Sequence, residues 1–380
     1  MLTTGARFLT THSGSLPRPA ELAELHGLRS KAQSVDAEVL NDAVAQATDA
    51  AIAMQIDCGI DVGNDGEQAR ESFLTYVQHR MTGFGQTSDR PLMRDLIDHP
   101  DYIELALPKF ARIKVDLLKA PSCVADVTYG DTAEVAAECD LVTGAGFAET
   151  FMTAASPGIV CAAMRNEHYP TMPEYMSAVA TALAVEYRYI VHHGFLLQVD
   201  APDLAMERHV LFGDKPLGDF LEWVELAVAS INQALAGIDR NSVRLHVCWG
   251  NYEGPHDHDV GLEEILPIIY QAEVGAIVCS MANPRHAHEH RLFEKYPLPD
   301  QMALVVGVID TTSNYIEHPE VVADRIENAA RSVGDPTRII AGTDCGFDTS
   351  AGLGEVAPSV VRDKLRSLRA GADIASERLL

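Results

Sequence analysis

Apolar and polar positions along the chain alternate between two regimes. Short apolar runs rich in β-branched residues, bounded by glycine and polar residues, predict buried strands; longer runs whose apolar residues recur at three and four predict amphipathic helices. Eight runs of the first kind occur, near residues 7–15, 59–67, 158–164 (GIVCAAM), 194–200 (GFLLQVD), 244–250 (RLHVCWG), 275–281 (GAIVCSM), 303–310 (ALVVGVID) and 338–346 (RIIAGTDCG). Helical patterns such as AVAQATDAAIAMQIDC, PEYMSAVATALAVEYRYIVHH, FLEWVELAVASINQAL and EVVADRIENAARSV lie between them. Strands alternating with helices demand a parallel sheet, and eight such units predict an α/β fold of the closed (β/α)8 TIM-barrel type.

Residues 110–130 (FARIKVDLLKAPSCVADVTYG) interrupt this alternation. They predict two strands around a Lys-Ala-Pro-Ser turn, a hairpin inserted before the third barrel strand within an insertion of roughly residues 100–135. No low-complexity linker and no repeat period divides the chain, so residues 1–380 are expected to form a single catalytic domain.

Composition narrows the partners. Acidic residues outnumber basic ones by 55 to 29, and the net charge of −26 opposes binding to nucleic acid or to an anionic membrane surface. No apolar run of roughly eighteen residues is present, and MLTTGARFLTTHSGS lacks the pattern of a secretory signal, so a cytoplasmic protein is expected. Seven cysteines, an odd number in a large chain, argue for free thiols rather than a disulfide framework.

In a closed barrel the loops after the strands converge over one mouth, so the residues ending each strand matter most. They are His12 to Ser15, Asp65 and Glu67, Asp200, His246 and Cys248, the segment from Ser280 to Arg285, Asp310, and Asp344 with Cys345. Any one of these is ordinary for a solvated strand end or a helix cap; their convergence is not. His246 and Cys248 are two apart on a strand and share a face, although alone they would also suit a core histidine and a small buried thiol. Cys345 ends the last strand and turns to the same mouth. One imidazole and two thiolates suit Zn²⁺ and leave its fourth tetrahedral position open, as catalytic rather than structural sites do. The histidines of GPHDHD (His256, His258) and RHAHEH (His286, His288, His290) form rival metal-binding sets.

These residues resemble the C-terminal catalytic barrel of cobalamin-independent methionine synthase and its single-barrel relatives, which include epoxyalkane:coenzyme M transferase. The likeness is carried by TTHSGSLPRP, NDGEQ, LQVDAPDLA, LHVCWGNYEGPH, ANPRHAHE, GVIDTTSNYIEHPEVV and GTDCGF, from residue 10 to residue 347. It implies a zinc ion held by His246, Cys248 and Cys345, a small-molecule thiol that joins the metal as thiolate, and an alkyl donor that the sulfur attacks. Gly14 and Ser15 match the loop that holds the carboxylate of the thiol substrate. Glu67 and Asp200 match acids that hold its amino group in the synthase. Asn283 and Arg285 are further candidates for substrate binding, and Arg18 or Arg285 could anchor an anionic group. Three features depart from the family pattern. Ser280 or Met281 stands where the synthase has a glutamate ligand, its Asp-Glu-Pro reads Asp200-Ala201-Pro202, and its tryptophan-bearing folate segment has no counterpart in SPGIVCAAMRNEHYP.

The expected activity is therefore zinc-dependent S-alkylation of a small thiol, foremost methyl transfer to homocysteine or a related thiol. Opening of an epoxide by coenzyme M is the alternative, with a zinc hydrolase or a non-catalytic zinc-binding barrel more distant. Departing groups need a proton, for which Asp310, His12, Tyr252 and His256 are the candidates.

Overall fold

The computed structural model describes residues 4–110, 114–115 and 117–380. Its strands in chain order are β1 (Val62–Gly63), β2 (Met81–Gly85), β3 (Ser122–Tyr129), β4 (Glu149–Ala155), β5 (Leu196–Asp200), β6 (Val243–Val247), β7 (Ala276–Cys279), β8 (Ala303–Ile309) and β9 (Ile339–Thr343). Seven of them form one parallel sheet in the order β1-β4-β5-β6-β7-β8-β9. The first predicted strand takes the eighth place and closes the ring through two parallel bridges, Thr10 to Ala341 of β9 and Thr11 to Val62 of β1. The α/β barrel read from the alternating pattern is thus present, with its seam at residues 10–11.

Every residue of β5, β6, β8 and β9 is buried, which explains why these strands read as unbroken apolar runs rather than as alternating ones. Ile277, Cys279, Leu304 and Val306 belong to the large core between sheet and helices. Their neighbours Ala276, Val278, Ala303 and Val305 form a separate cluster with Ile340, as the alternation of side chains requires for the inside of the ring. Helices Ala37–Asp57, Met172–His192, Leu217–Ala234 and Pro319–Val333 occupy the four predicted helical stretches.

Two expectations are corrected. Residues 158–164 are not the third barrel strand: Pro157–Ala163 is a helix, and the strand is β4 just before it. All seven residues of that helix are buried, and a short continuous apolar run cannot distinguish a buried helix from a buried strand. The signals that decide are Ser156, whose hydroxyl accepts from Ile159 N at 3.0 Å, and Pro157 in the first turn. The inserted hairpin is also real but differently composed. β3 pairs antiparallel with β2, Met81 opposite Tyr129 and Gly85 opposite Ser122, rather than with a strand in the first half of 110–130. Residues 111–113 and 116 of that stretch lie outside the described residues. Among the described residues no helix is long and apolar enough to cross a membrane.

Candidate metal centre

The ring turns the ends of β6 and β9 toward one mouth. There His246, Cys248 and Cys345 each present one ligand atom, and the three atoms lie within 4.8 Å of one another, all buried. This is the one such group of three or more found among the described residues, so the rival histidine sets do not converge comparably. His258 is instead half-buried and bonded to Asp98, and His286 is held between Asp259 (2.8 Å) and Glu289 (2.8 Å).

Strand register explains the orientation of the imidazole. Asp200 of β5 lies directly beside His246 of β6, and its Oδ1 sits 3.0 Å from His246 Nδ1. A carboxylate can only accept, so the Nδ1 proton is fixed there and Nε2 is the nitrogen left to ligate once its own proton is displaced. Nε2 is buried with no hydrogen-bond partner among the described residues. Gln198, two residues before Asp200 on the same face, donates to Asp200 Oδ1 at 2.7 Å and to Ser13 O at 2.8 Å, which locks the carboxylate in turn.

The charges fit a cation. Burial alone would push the His246 imidazole down, but the Cys248 sulfur and the Asp200 carboxylate raise it to about 10. A hydrogen bond shared between the two sulfurs pulls the Cys248 thiol well below its usual range and pushes Cys345 above it. A buried, unpartnered imidazole nitrogen facing two cysteine sulfurs is the donor set that zinc prefers, with one tetrahedral position left for a substrate. The loops carrying the sulfurs are tied together: Asn251 Nδ2 donates to Gly346 O at 2.8 Å, and its Oδ1 accepts from Thr311 Oγ1 at 2.8 Å.

Around this trio stand the expected substrate residues. Ser15 packs on the loop after β9: its carbonyl accepts from Phe347 N at 2.8 Å and its hydroxyl from Asp348 N at 3.3 Å. Gly14 leaves room for Glu67, since a Cβ there would lie 2.4 Å from Glu67 Oε1. Glu67 has a left-handed backbone (φ 56°), with its N–H donating to Asp65 Oδ1 at 2.9 Å and its carbonyl accepting from Arg18 Nη2 at 2.9 Å. Burial, and then the nearby Asp200 carboxylate, push Glu67 up to about 8. Its Oε2 is buried and has no partner among the described residues.

Other candidates are occupied elsewhere. Asn283 donates through Nδ2 to Asp344 Oδ2 at 3.0 Å and accepts from His286 N, so its amide shapes the loop after β7. Arg285 is exposed and reaches Asp257 O at 3.2 Å. Arg18 is paired with Asp348. None of the four candidate proton donors offers a free proton. His12 places Nε2 2.8 Å from Gln55 Oε1 and accepts from Gly14 N at Nδ1, and burial pushes it down to about 4. Tyr252 donates to Asp95, and His256 places its two nitrogens against Asp259 Oδ2 and Tyr252 O, each at 3.0 Å. Asp310 accepts from Thr312 and Ser313; these hydrogen bonds outweigh burial and hold its carboxyl below the usual range.

Sequence reasoning missed Gln198, Asn251 and the work of Asp344. The Asp344 carboxylate accepts from the backbone N–H groups of Met281, Ala282 and Asn283, each at 2.8 Å, in the stretch where the family pattern has its extra ligand. A Gln-x-Asp on one strand face was a readable signal for Gln198; nothing local marks Asn251.

Fold and site together define an α/β-barrel protein with a buried His-Cys-Cys centre. Residues 8–98 match the family model described as the cobalamin-independent synthase catalytic domain. Methionine synthase of Sulfolobus acidocaldarius is 25% identical over 340 residues, covering 89% of this chain and 85% of that protein. Methionine synthase of Saccharolobus islandicus is 23% identical over 373 residues, covering 97% and 95%. In structure, a B12-independent methionine synthase from Shewanella sp. W3-18-1 superposes with a TM-score of 0.75 at 21% identity, covering 98% of this chain and 99% of that one. The resemblance to the cobalamin-independent methionine synthase catalytic domain, read from the motifs, therefore stands.

Proposed function

We propose that this protein is a zinc-dependent thiol S-alkyltransferase whose substrate is an aminothiol, foremost homocysteine, and whose reaction resembles that of the methionine synthases it is similar to. One observation carries the reading: the buried, unpartnered Nε2 of His246, set within 4.8 Å of two cysteine ligand atoms and backed by Asp200. Zinc held by His246, Cys248 and Cys345 would supply the positive charge that keeps a fourth, incoming thiol deprotonated at neutral pH.

The chain's own residues do the rest. Asp200 fixes the imidazole tautomer and Gln198 fixes Asp200. Asp200 bears on both His246 and Cys345, Glu67 lies within reach of the Asp200 charge, and the unpartnered Glu67 Oε2 supports an ammonium-bearing thiol over an anionic one such as coenzyme M. Gly14 makes room for the Glu67 carboxylate, and Ser15 ties the first-strand loop to the segment that follows Cys345. This reading treats residues 1–380 as one catalytic unit, and its seven buried free thiols suit a reducing, cytoplasmic setting.

The test is chemical. Zinc-loaded protein is incubated with homocysteine together with methylfolate, with homocysteine together with methylcobalamin, and with coenzyme M together with a short epoxide; mass spectrometry follows the thioethers. Methionine is the expected product. A thioether formed only from coenzyme M would establish the epoxide-opening alternative. X-ray absorption showing no new zinc–sulfur contact on adding homocysteine would remove the transferase reading altogether.

A further inference from the structure

Inside the ring, Thr153 of β4 lies in register with Gln198 of β5. Its hydroxyl sits 3.1 Å from Glu67 Oε1 and 2.9 Å from Arg70 Nη1, and the same Nη1 donates to the Thr153 carbonyl at 2.8 Å. A threonine hydroxyl has a single proton. With the guanidinium donating from one side, that proton is directed at Glu67.

Arg70 is itself immobilised in a buried network. Glu138 Oε2 accepts from its Nη2 at 2.8 Å and its Nε at 3.2 Å, and its guanidinium lies 4.4 Å from the centre of the Tyr76 ring. Arg80 pairs with Glu138 and Glu186, and Glu186 accepts from Tyr76 and from Tyr129 of the inserted hairpin, both at 2.7 Å. Two arginines and two glutamates balance without Glu67. Thr153 links this closed network to the mouth.

Gly14 lies against Oε1, and Asp65 and Arg18 hold the backbone N–H and carbonyl of Glu67, so Oε1 is held by Thr153 and Oε2 is left to meet a ligand. We propose that Thr153, held by Arg70, is a positioning residue that selects amino-bearing thiols by fixing the carboxylate plane of Glu67. The proposal rests on the aminothiol reading above. Losing the hydroxyl would free the carboxylate to rotate. It would also raise its pKa further, because a hydrogen bond to the charged form favours that form. The charged groups facing Glu67 are Asp200 and Asp65, which push it up, and Arg70 and Arg18, which pull it down.

Thr153→Val keeps the shape and the β-branch but removes the hydroxyl, whereas Thr153→Ser keeps the hydroxyl. Homocysteine and 4-mercaptobutyric acid, its analogue without the amino group, are titrated into the zinc-loaded proteins by calorimetry. The valine variant should bind homocysteine about tenfold more weakly, the effect of one lost hydrogen bond to a charged group, with zinc content and 4-mercaptobutyrate binding unchanged. Its homocysteine binding should also need a higher pH, and serine should restore both. Equal losses for the two thiols, or no loss for homocysteine, would overturn the proposal. If the unsubstituted protein itself fails to prefer homocysteine over 4-mercaptobutyrate, the aminothiol reading fails instead, before any substitution is made.

Discussion

Replacing Gly14 by alanine tests how tightly the mouth is built. Gly14 has φ of +126°, and a Cβ there would lie 2.4 Å from Glu67 Oε1 and 2.8 Å from Thr153 Cγ2. Two costs follow. A side chain at such a backbone conformation is strained by about 1–3 kcal/mol. The carboxylate must swing away, giving up its hydrogen bond from Thr153 at a cost of about 1 kcal/mol. The sum is about 2–4 kcal/mol. Gly194→Ala separates the two terms, because Gly194 also has positive φ (+85°) but nothing lies within 4 Å of a Cβ there. Thermal melting of both variants, with homocysteine calorimetry on each, gives the readout. Gly14→Ala should melt lower than Gly194→Ala, and it alone should lose homocysteine affinity. Should Gly14→Ala melt like Gly194→Ala and bind homocysteine like the unsubstituted protein, the close packing of Glu67 on Gly14 is refuted.

Two further outcomes are expected. Cys345→Ala should abolish stoichiometric zinc while His258→Ala retains it, as metal analysis by mass spectrometry would show; full zinc in Cys345→Ala would sink the His-Cys-Cys centre. The stability of the metal-free protein should fall as pH rises from about 6.5 to about 8; below that, His12 and His26, which burial pushes down to about 4, work in the opposite direction, because the unfolded chain binds the protons they refuse. Burial holds Glu67 at about 8, Asp203 at about 7 and Asp344 at about 6, so each keeps a proton that the unfolded chain has released. Glu138 acts in the other direction. Although burial pushes it up, Arg70 and Arg80 hold it at about 2, so its contribution is present above its ordinary 4.5 and is lost as pH falls toward 2. Melting scans across pH should peak on the acidic side of neutrality, and Glu67→Gln should flatten the alkaline decline. A maximum above pH 8 would contradict this assignment.

The parts of the molecule legible from the sequence were those fixed by local periodicity and by chain topology. Alternating strands and helices predicted the barrel, and the barrel alone made His246, Cys248 and Cys345 neighbours although the third is far away in sequence. Legibility failed where a local pattern has two meanings. GIVCAA is apolar all round, as both a buried strand and a buried helix would be, and only the Ser156-Pro157 start distinguishes them. The partner of β3 escaped for a related reason: MTGFG is short, glycine-rich and half-exposed, without the apolar density of the barrel strands. For the proton donors, side-chain identity shows that a group can donate but not what it already holds. His12, Tyr252, His256 and Asp310 all have the right chemistry, and all have partners. Thr153 meets Gln198 only through strand register, which the sequence does not display.

The seam of the ring has a consequence for how the centre comes into being. Residues 10–15 come from the start of the chain, yet they seat against Ala341, Thr343 and Phe347 near its end. During synthesis, a growing polypeptide that has already emerged through His246 and Cys248 still lacks both its last sulfur and the partner of its first segment. A nascent chain therefore lacks the assembled trio until Cys345 has emerged and residues 10–11 have closed against Ala341 and Val62.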